Sequence, residues 1–176
     1  MKDLATPAGR IRFRPIAPDD QELLLRIYGS TRDEELSSVA WVDGEREAFL
    51  RQQFTAQHAW YQENYAGAEF LVLDREVEGR EVPAGRLYIV RWEKEIRLID
   101  IALLPEHRNA GLGNAILQEI LAEGNAAGKP VTIHVEKFNP ALRLYERLGF
   151  TPIEDRGVYY LMQRSPTSPT SPASPT

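Results

Sequence analysis

The chain has 176 residues, 43% hydrophobic and 27% charged, which is enough to build a sizeable soluble core. Its net charge of −5 and pI near 5.3 argue against a nucleic-acid partner, which would call for a basic surface. The absence of cysteine removes disulfides, thiolate metal sites and a cysteine nucleophile.

The remaining exclusions come from pattern. His58, His107 and His134 are scattered and lack zinc-site spacing, so no metal is expected. No G-x-S-x-G is present for a serine elbow. Met1-Lys2-Asp3-Leu4 opens no apolar signal region, and no run of about 18 apolar residues exists to enter a membrane. The expectation is a cytoplasmic protein with neither a membrane nor a nucleic acid as partner.

In chain order, residues 10–16 alternate basic and apolar up to Pro15 and predict a half-buried strand. Pro18-Asp19-Asp20 opens a helix whose inner face carries Leu23, Leu24 and Ile27. Residues 29–43 read as a loop. A second helix from Glu45 sets Leu50, Phe54, Tyr61 and Tyr65 in a stripe, with His58 and Trp60 beside it. Glu69–Asp74, Ala84–Trp92 and Ile96–Leu103 read as three strands of an antiparallel meander, with turns at Gly79 and at Glu93-Lys94-Glu95.

Beyond Leu104-Pro105 lies the loop Arg108-Asn109-Ala110-Gly111-Leu112-Gly113, followed by a helix with Ile116, Leu117, Ile120 and Leu121 on one face and Gly128 as its cap. Strand, glycine loop and helix start form an anion site: the backbone approaches closely and the first N–H groups point at negative charge. Val131–Val135 is a strand parallel to Ile96–Leu103. Asn139-Pro140 starts a helix bearing Leu144, Tyr145 and Leu148, closed by Gly149. A hairpin around Asp155-Arg156-Gly157 follows. The expected organisation is one domain over 1–164 and a disordered Ser/Pro/Thr tail over 165–176, which repeats proline every third residue.

A Rossmann loop would need a small residue where Ile116 stands, and a P-loop would need Gly-Lys-Ser/Thr, which is absent. The loop Arg108–Gly113 instead fits the pattern Arg or Gln, two residues, Gly, one residue, Gly or Ala. Downstream, Asn139-Pro140-Ala141-Leu142-Arg143-Leu144-Tyr145-Glu146-Arg147-Leu148-Gly149-Phe150 looks like Asn…Leu-Tyr-x-x-x-Gly-Phe. In this order, over roughly residues 10–164, the chain resembles the GNAT superfamily of N-acetyltransferases.

The resemblance implies an α/β (α+β) fold: a mixed, mostly antiparallel sheet of about seven strands, four flanking helices, and one parallel strand pair splayed around the cofactor. It implies acetyl-coenzyme A as acyl donor and direct transfer to a primary amine of a small molecule, protein or peptide, without an acyl-enzyme. The donor would lie on Ile101, Ala102 and Leu103, on Arg108 and the backbone of Asn109, Ala110, Gly111, Leu112, Gly113 and Asn114, and near Asn139 and Tyr145. The family's general acid corresponds to Tyr145. A phenol ordinarily titrates at about pH 10, which suits donation to a departing thiolate.

Base candidates are His134, Asp100 and Glu136. Asp100 interrupts an apolar strand, and His134 sits where some relatives carry a glutamate. The first two helices and their joining loop offer Asp33, Glu34, Glu35, Trp41, Trp60 and Tyr61 to an acceptor, acids and aromatics that suit a cationic amine. A non-catalytic acetyl-coenzyme A-binding module acting through a partner, and transfer of a larger acyl group, are the alternatives. A homodimer is compatible with the sequence, which does not specify oligomeric state.

Overall fold

The computed structural model describes residues 1–167. Eight strands hydrogen-bond in the order β1-β2-β3-β4-β5-β6-β8-β7, with four helices between them. Pairing is mostly antiparallel, and β5 runs parallel to β6. The fold is thus the mixed, mostly antiparallel α/β arrangement expected, with one strand more. The chain divides into two compact units, Met1–Val90 with Ile99–Ala115, and Arg91–Leu98 with residues 116 onward.

In the first unit, β1 (Leu4–Thr6), β2 (Gly9–Pro15), β3 (Glu69–Val77) and β4 (Arg80–Arg91) form a meander. β1 is the unforeseen strand; three residues carry too little alternation to be recognised. The β3–β4 turn is two residues, Glu78 and Gly79, both at positive φ, the primed turn that matches strand twist. Arg14 fastens β2 to the start of the first helix. Its Nη1 and Nη2 donate to Asp20 at 2.7 and 2.8 Å, and its Nε donates to Asp74 at 2.8 Å. Asp20 also accepts from the Ala17 N–H, so the acid expected to favour a helix start does so through a side-chain network.

Helix α1 spans Gln21–Leu36, which corrects the loop expected from residue 29. Gly29 and Ser30 lie within the helix, and a Cβ on Gly29 would be in ordinary contact with Leu50 Cδ1, 3.4 Å away on α2 (Glu45–Asn64). The buried face of α1 is Leu24, Leu25, Ile27 and Tyr28, with Leu23 only half-buried. On α2 the buried stripe is Leu50, Phe54 and His58, while Tyr61 and Tyr65 are half-buried. These faces pack with Val72, Ala102 and Leu104. Ala102 and Leu104 belong to β5 (Ile96–Leu103) and the residue after it.

Gly85 on β4 fixes how near β5 can come. A Cβ there would lie 2.2 Å from the Ala102 carbonyl oxygen and 3.0 Å from Leu103 Cα. A hydrogen bond from the Leu104 N–H to the Ala84 oxygen, 2.9 Å, closes the same contact.

In the second unit the start of β5 runs parallel to β6 (Val131–Glu136), Ile96 opposite Val131. β8 (Tyr159–Arg164) pairs antiparallel with β6, and β7 (Thr151–Arg156) with β8. Helix α3 (Leu112–Ala127) buries Ile116, Leu117, Ile120 and Leu121 as its spacing predicts. Gly128 follows it at φ +64°. Helix α4 is short, Leu142–Arg147, and Gly149 at φ +86° ends its turn. Of the expected tail, residues 168–176 lie outside the described residues.

The Gly85 contact gives a paired prediction. Gly85→Ala should destabilise the fold by about 2–3 kcal/mol, because the added methyl meets backbone that cannot yield. Gly113→Ala, whose Cβ would meet only Leu103 Cδ1 at 3.9 Å, should be nearly neutral to stability. Chemical denaturation of the two variants checks the contrast.

Candidate functional site

The turn between β5 and α3 has the backbone that its sequence anticipates. Asn109 and Gly111 hold positive φ, +58° and +82°, and a Cβ on Gly111 would meet nothing within 4 Å. The first i→i−4 bond of α3 runs from the Ala115 N–H to the Gly111 oxygen, 3.0 Å. The N–H groups of Leu112, Gly113 and Asn114 therefore precede any intrahelical acceptor, at the positive end of a 16-residue helix dipole. Arg108, Asn109, Ala110, Gly111 and Asn114 are exposed. This is an open cradle for a diphosphate-like anion, and a coenzyme A pyrophosphate fits its chemistry.

Arg108 is not a free surface cation. Its Nε donates to the Leu103 oxygen at 2.8 Å, and its Nη2 donates to Ser30 Oγ at 2.8 Å and to the Ser30 carbonyl at 3.1 Å. It ties the turn to the end of β5 and to α1. Ile101 and Leu103, on the strand end, are half-buried, and Ala102 is buried.

Asp100 precedes that strand end, and its partner was not foreseen. Arg86, on β4, places Nη2 2.5 Å from Asp100 Oδ2. The Arg86 side chain is 3% exposed and that of Asp100 20%. Three rings surround the guanidinium: its Cζ lies 5.1 Å from the Tyr88 centroid, 5.9 Å from Phe54 and 6.0 Å from Tyr28. Arg86 Nε and Nη1 are buried without a hydrogen-bond partner. Burial acts to lower the pKa of this guanidinium, while the charge and hydrogen bond of Asp100, with other neighbours, act to raise it; the net direction is upward and Arg86 is protonated. The Tyr88 hydroxyl lies 3.4 Å from His58 Nδ1, and burial pushes that phenol up to about 12. The signal for Arg86 was the one used for Asp100: a charge inside an apolar run, here Gly85-Arg86-Leu87-Tyr88-Ile89-Val90.

The acceptor candidates do not form one cluster. Trp41 is half-buried, donates Nε1–H to the Leu36 oxygen at 3.1 Å, and packs on Phe49. Trp60 and Tyr61 lie eleven and twelve residues beyond Phe49 along α2, some 17 Å at about 1.5 Å per residue. Tyr61 belongs with the Arg86 group, 6.2 Å from the Tyr88 ring. The acids are largely neutralised: Asp33 pairs with Arg46 at 2.5 Å and Glu35 with Arg32 at 3.0 Å, and Glu34 is exposed.

In the second unit, Tyr145 is buried on α4 with its ring 5.7 Å from Phe150, edge to face. Asn139 caps a turn just before the helix rather than the helix itself. Its Oδ1 accepts from the Ala141 N–H at 2.8 Å and its carbonyl from the Leu142 N–H at 2.9 Å. Glu136 accepts from the Tyr159 hydroxyl at 3.3 Å.

His134 sits in a network of Arg97, Thr132 and Glu95. Arg97 Nη1 lies 3.4 Å from His134 Nδ1, while Arg97 Nε donates to Thr132 Oγ1 at 2.6 Å. The other ring nitrogen, His134 Nε2, is buried without a partner. Burial, then the Arg97 charge, pushes the imidazole below its ordinary range. The neutral ring meets the first need of a base, but Arg97 faces Nδ1.

Comparison with known proteins identifies the class. Residues 30–150 match the acetyltransferase (GNAT) family profile, and the chain belongs to that family. Over 67 residues it is 31% identical to the [ribosomal protein bS18]-alanine N-acetyltransferase of Haemophilus influenzae, a match covering 38% of this chain and 46% of that protein. The chain thus spans about half the length of this curated relative. Its fold is similar to that of the PaiA N-acetyltransferase from Thermoplasma acidophilum, solved in complex with coenzyme A (TM-score 0.63, 16% identity, 88% of this chain and 98% of that one). It is also similar to an acetyltransferase from Thermus thermophilus (TM-score 0.60, 19% identity, 88% and 96%). Among the described residues no helix is long and apolar enough to cross a membrane.

All three histidines are pushed below their ordinary range, each chiefly by burial. A folded pKa below the unfolded value of about 6.5 gives stability that is complete above that pH and lost as pH falls through the folded value. Lowering pH from about 7.5 to about 5.5 should therefore lower the melting temperature, and His134→Gln should reduce the slope. Carboxylates such as Asp20, held low by Arg14, act only in a lower window, below about pH 4. Scanning fluorimetry across this range reads both.

Proposed function

We propose that the chain is an N-acetyltransferase that takes its acetyl group from acetyl-coenzyme A and passes it directly to a primary amine. The observation carrying this reading is the Asn109–Asn114 turn, an exposed anion cradle at a helix start. Acetyl-coenzyme A supplies the reactive thioester. The N–H groups of Leu112, Gly113 and Asn114 hold its pyrophosphate, and the backbone of Ile101, Ala102 and Leu103 lies along its arm. Arg108 keeps strand end and turn in register through Leu103 and Ser30. Asn139 is assigned to the donor by the family pattern Asn139–Phe150.

Asp100 is the preferred group for receiving the amine. Its carboxylate keeps a fifth of its surface open and immediately precedes Ile101. It takes the ammonium and relays its proton to solvent. His134 is second, because a proton on Nδ1 would meet the Arg97 guanidinium, and Glu136 is third. Tyr145 Oη gives a proton to the departing sulfur.

Small amines and peptide N-termini are the acceptors to screen. The Haemophilus influenzae relative is named for an alanine of a ribosomal protein, which makes an N-terminal alanine peptide a natural probe. The reaction belongs in the cytoplasm, and the chain acts as one catalytic domain over 1–164.

Release of free thiol from acetyl-coenzyme A with a panel of amines tests the activity. Tyr145→Phe should keep its melting temperature and its donor-induced thermal shift while kcat falls about 100-fold. An unchanged kcat removes Tyr145 as the acid. Donor binding with no thiol release for any amine would establish the non-catalytic module instead, and competition by longer acyl thioesters would mark a larger acyl donor. Arg108→Gln should raise the donor KM about tenfold with a smaller effect on kcat, as expected of a brace.

A further inference from the structure

Arg86 is a cation in the protein interior with one ionic partner. A guanidinium carries five N–H donors, and groups buried this deeply are normally satisfied. Asp100 meets Nη2; Nε and Nη1 meet no acceptor. The surrounding Tyr28, Phe54 and Tyr88 rings offer π faces to the charge and leave those two nitrogens without a hydrogen bond. Leaving charged donors unmet is costly, so the position implies an acceptor oxygen that arrives from outside the chain.

Charge sets what brings that oxygen. Arg86 and Asp100 already neutralise each other. A lone anion would leave the pocket net negative, and a lone cation net positive. A molecule with both charges leaves it balanced: its carboxylate answers Arg86, and its ammonium answers the part-open carboxylate of Asp100.

Resting on the acetyl-transfer reading above, we propose that Arg86 is a specificity-determining residue and that the acceptor is an amino-acid-like zwitterion, a primary amine with a nearby carboxylate. Arg86 binds the carboxylate and Asp100 the ammonium. Tyr28, Phe54 and Tyr88 lie over the Arg86 guanidinium and wall this site. The reaction balances simply. The ammonium loses one proton, the amine nitrogen bonds the acetyl carbon as the carbon–sulfur bond breaks, and the thiolate takes a proton and leaves as free coenzyme A. A second proton ends in solvent.

The test compares the free protein amino acids with their α-carboxamides, matched pairs differing only in the carboxylate. Amides have the less basic amine and are intrinsically the better nucleophiles at neutral pH, so chemistry alone favours them. For the preferred side chain, wild type should favour the carboxylate in kcat/KM by about tenfold or more, the scale of one charged hydrogen bond. In Arg86→Met that ratio should fall to about one or below, and Arg86→Lys should restore part of it. The double variant Arg86→Met/Asp100→Asn removes both charges and guards against simple misfolding of the single variant.

Binding is read independently of turnover, as the thermal shift given by the free amino acids and their α-carboxamides without coenzyme A. Only the carboxylates should shift wild type, and neither should shift Arg86→Met. Acetylation of amides and free acids alike, or a carboxylate preference that survives Arg86→Met, overturns the proposal and leaves acetyl transfer standing. If no amine is acetylated, the acetyl-transfer reading fails, and the thermal-shift arm alone decides whether Arg86 receives a carboxylate.

Discussion

Arg86 could not stand where it does without Asp100. Taking a guanidinium out of water costs several kcal/mol, and only a close opposite charge offsets it. That requirement binds β4 to β5 one residue before the strand end that the donor reading uses. It also shapes what surrounds the pair. Tyr28 from α1 and Phe54 from α2 reach the same guanidinium, so both helices of the unit are referred to one charge on the sheet. His58 and Tyr88 feel it too: burial and Arg86 together keep the imidazole neutral.

The donor turn is built on a different basis. Its binding groups are backbone N–H, with glycine at positions 111 and 113. Conformation rather than charge makes the site: two positive-φ residues, a helix start, and a brace from Arg108 into Leu103 and Ser30. Such a site is strongly constrained in sequence, because few residues tolerate the backbone it needs. An acceptor pocket made of side chains on two helices carries no comparable constraint, and one fold can present many of them.

That difference explains what was legible in advance. The turn, the order of helices and strands, and the parallel pair could be read because local chemistry specifies them: Arg108–Gly113, Asn139–Phe150, Gly128 and Gly149 act within a few residues of themselves. The continuation of α1 to Leu36 could not, because the burial of Leu36 that supports it comes from a core shared with Leu50, Phe54 and Val72, distant in sequence. The acid and aromatic set from Asp33 to Tyr61 had no basis for division by position, and the structure separates Trp41 from Tyr61. Asp100 was noticed as an oddity in an apolar strand. Arg86 is the same oddity fourteen residues earlier, and only the pairing of β-strands in space shows that the two are one feature.

The histidines carry a last consequence. The formal charge of −5 counts them as neutral, and the folded chain keeps them so further into acid than free imidazole would allow. In mild acid the folded chain therefore takes up fewer histidine protons than the unfolded chain, and its negative charge falls less steeply. Mutual repulsion between copies, which keeps a net-charged protein dispersed, persists there as well. Unfolded copies take up those protons first and lose that protection earlier, so mild acid separates the two states in colloidal behaviour as well as in free energy.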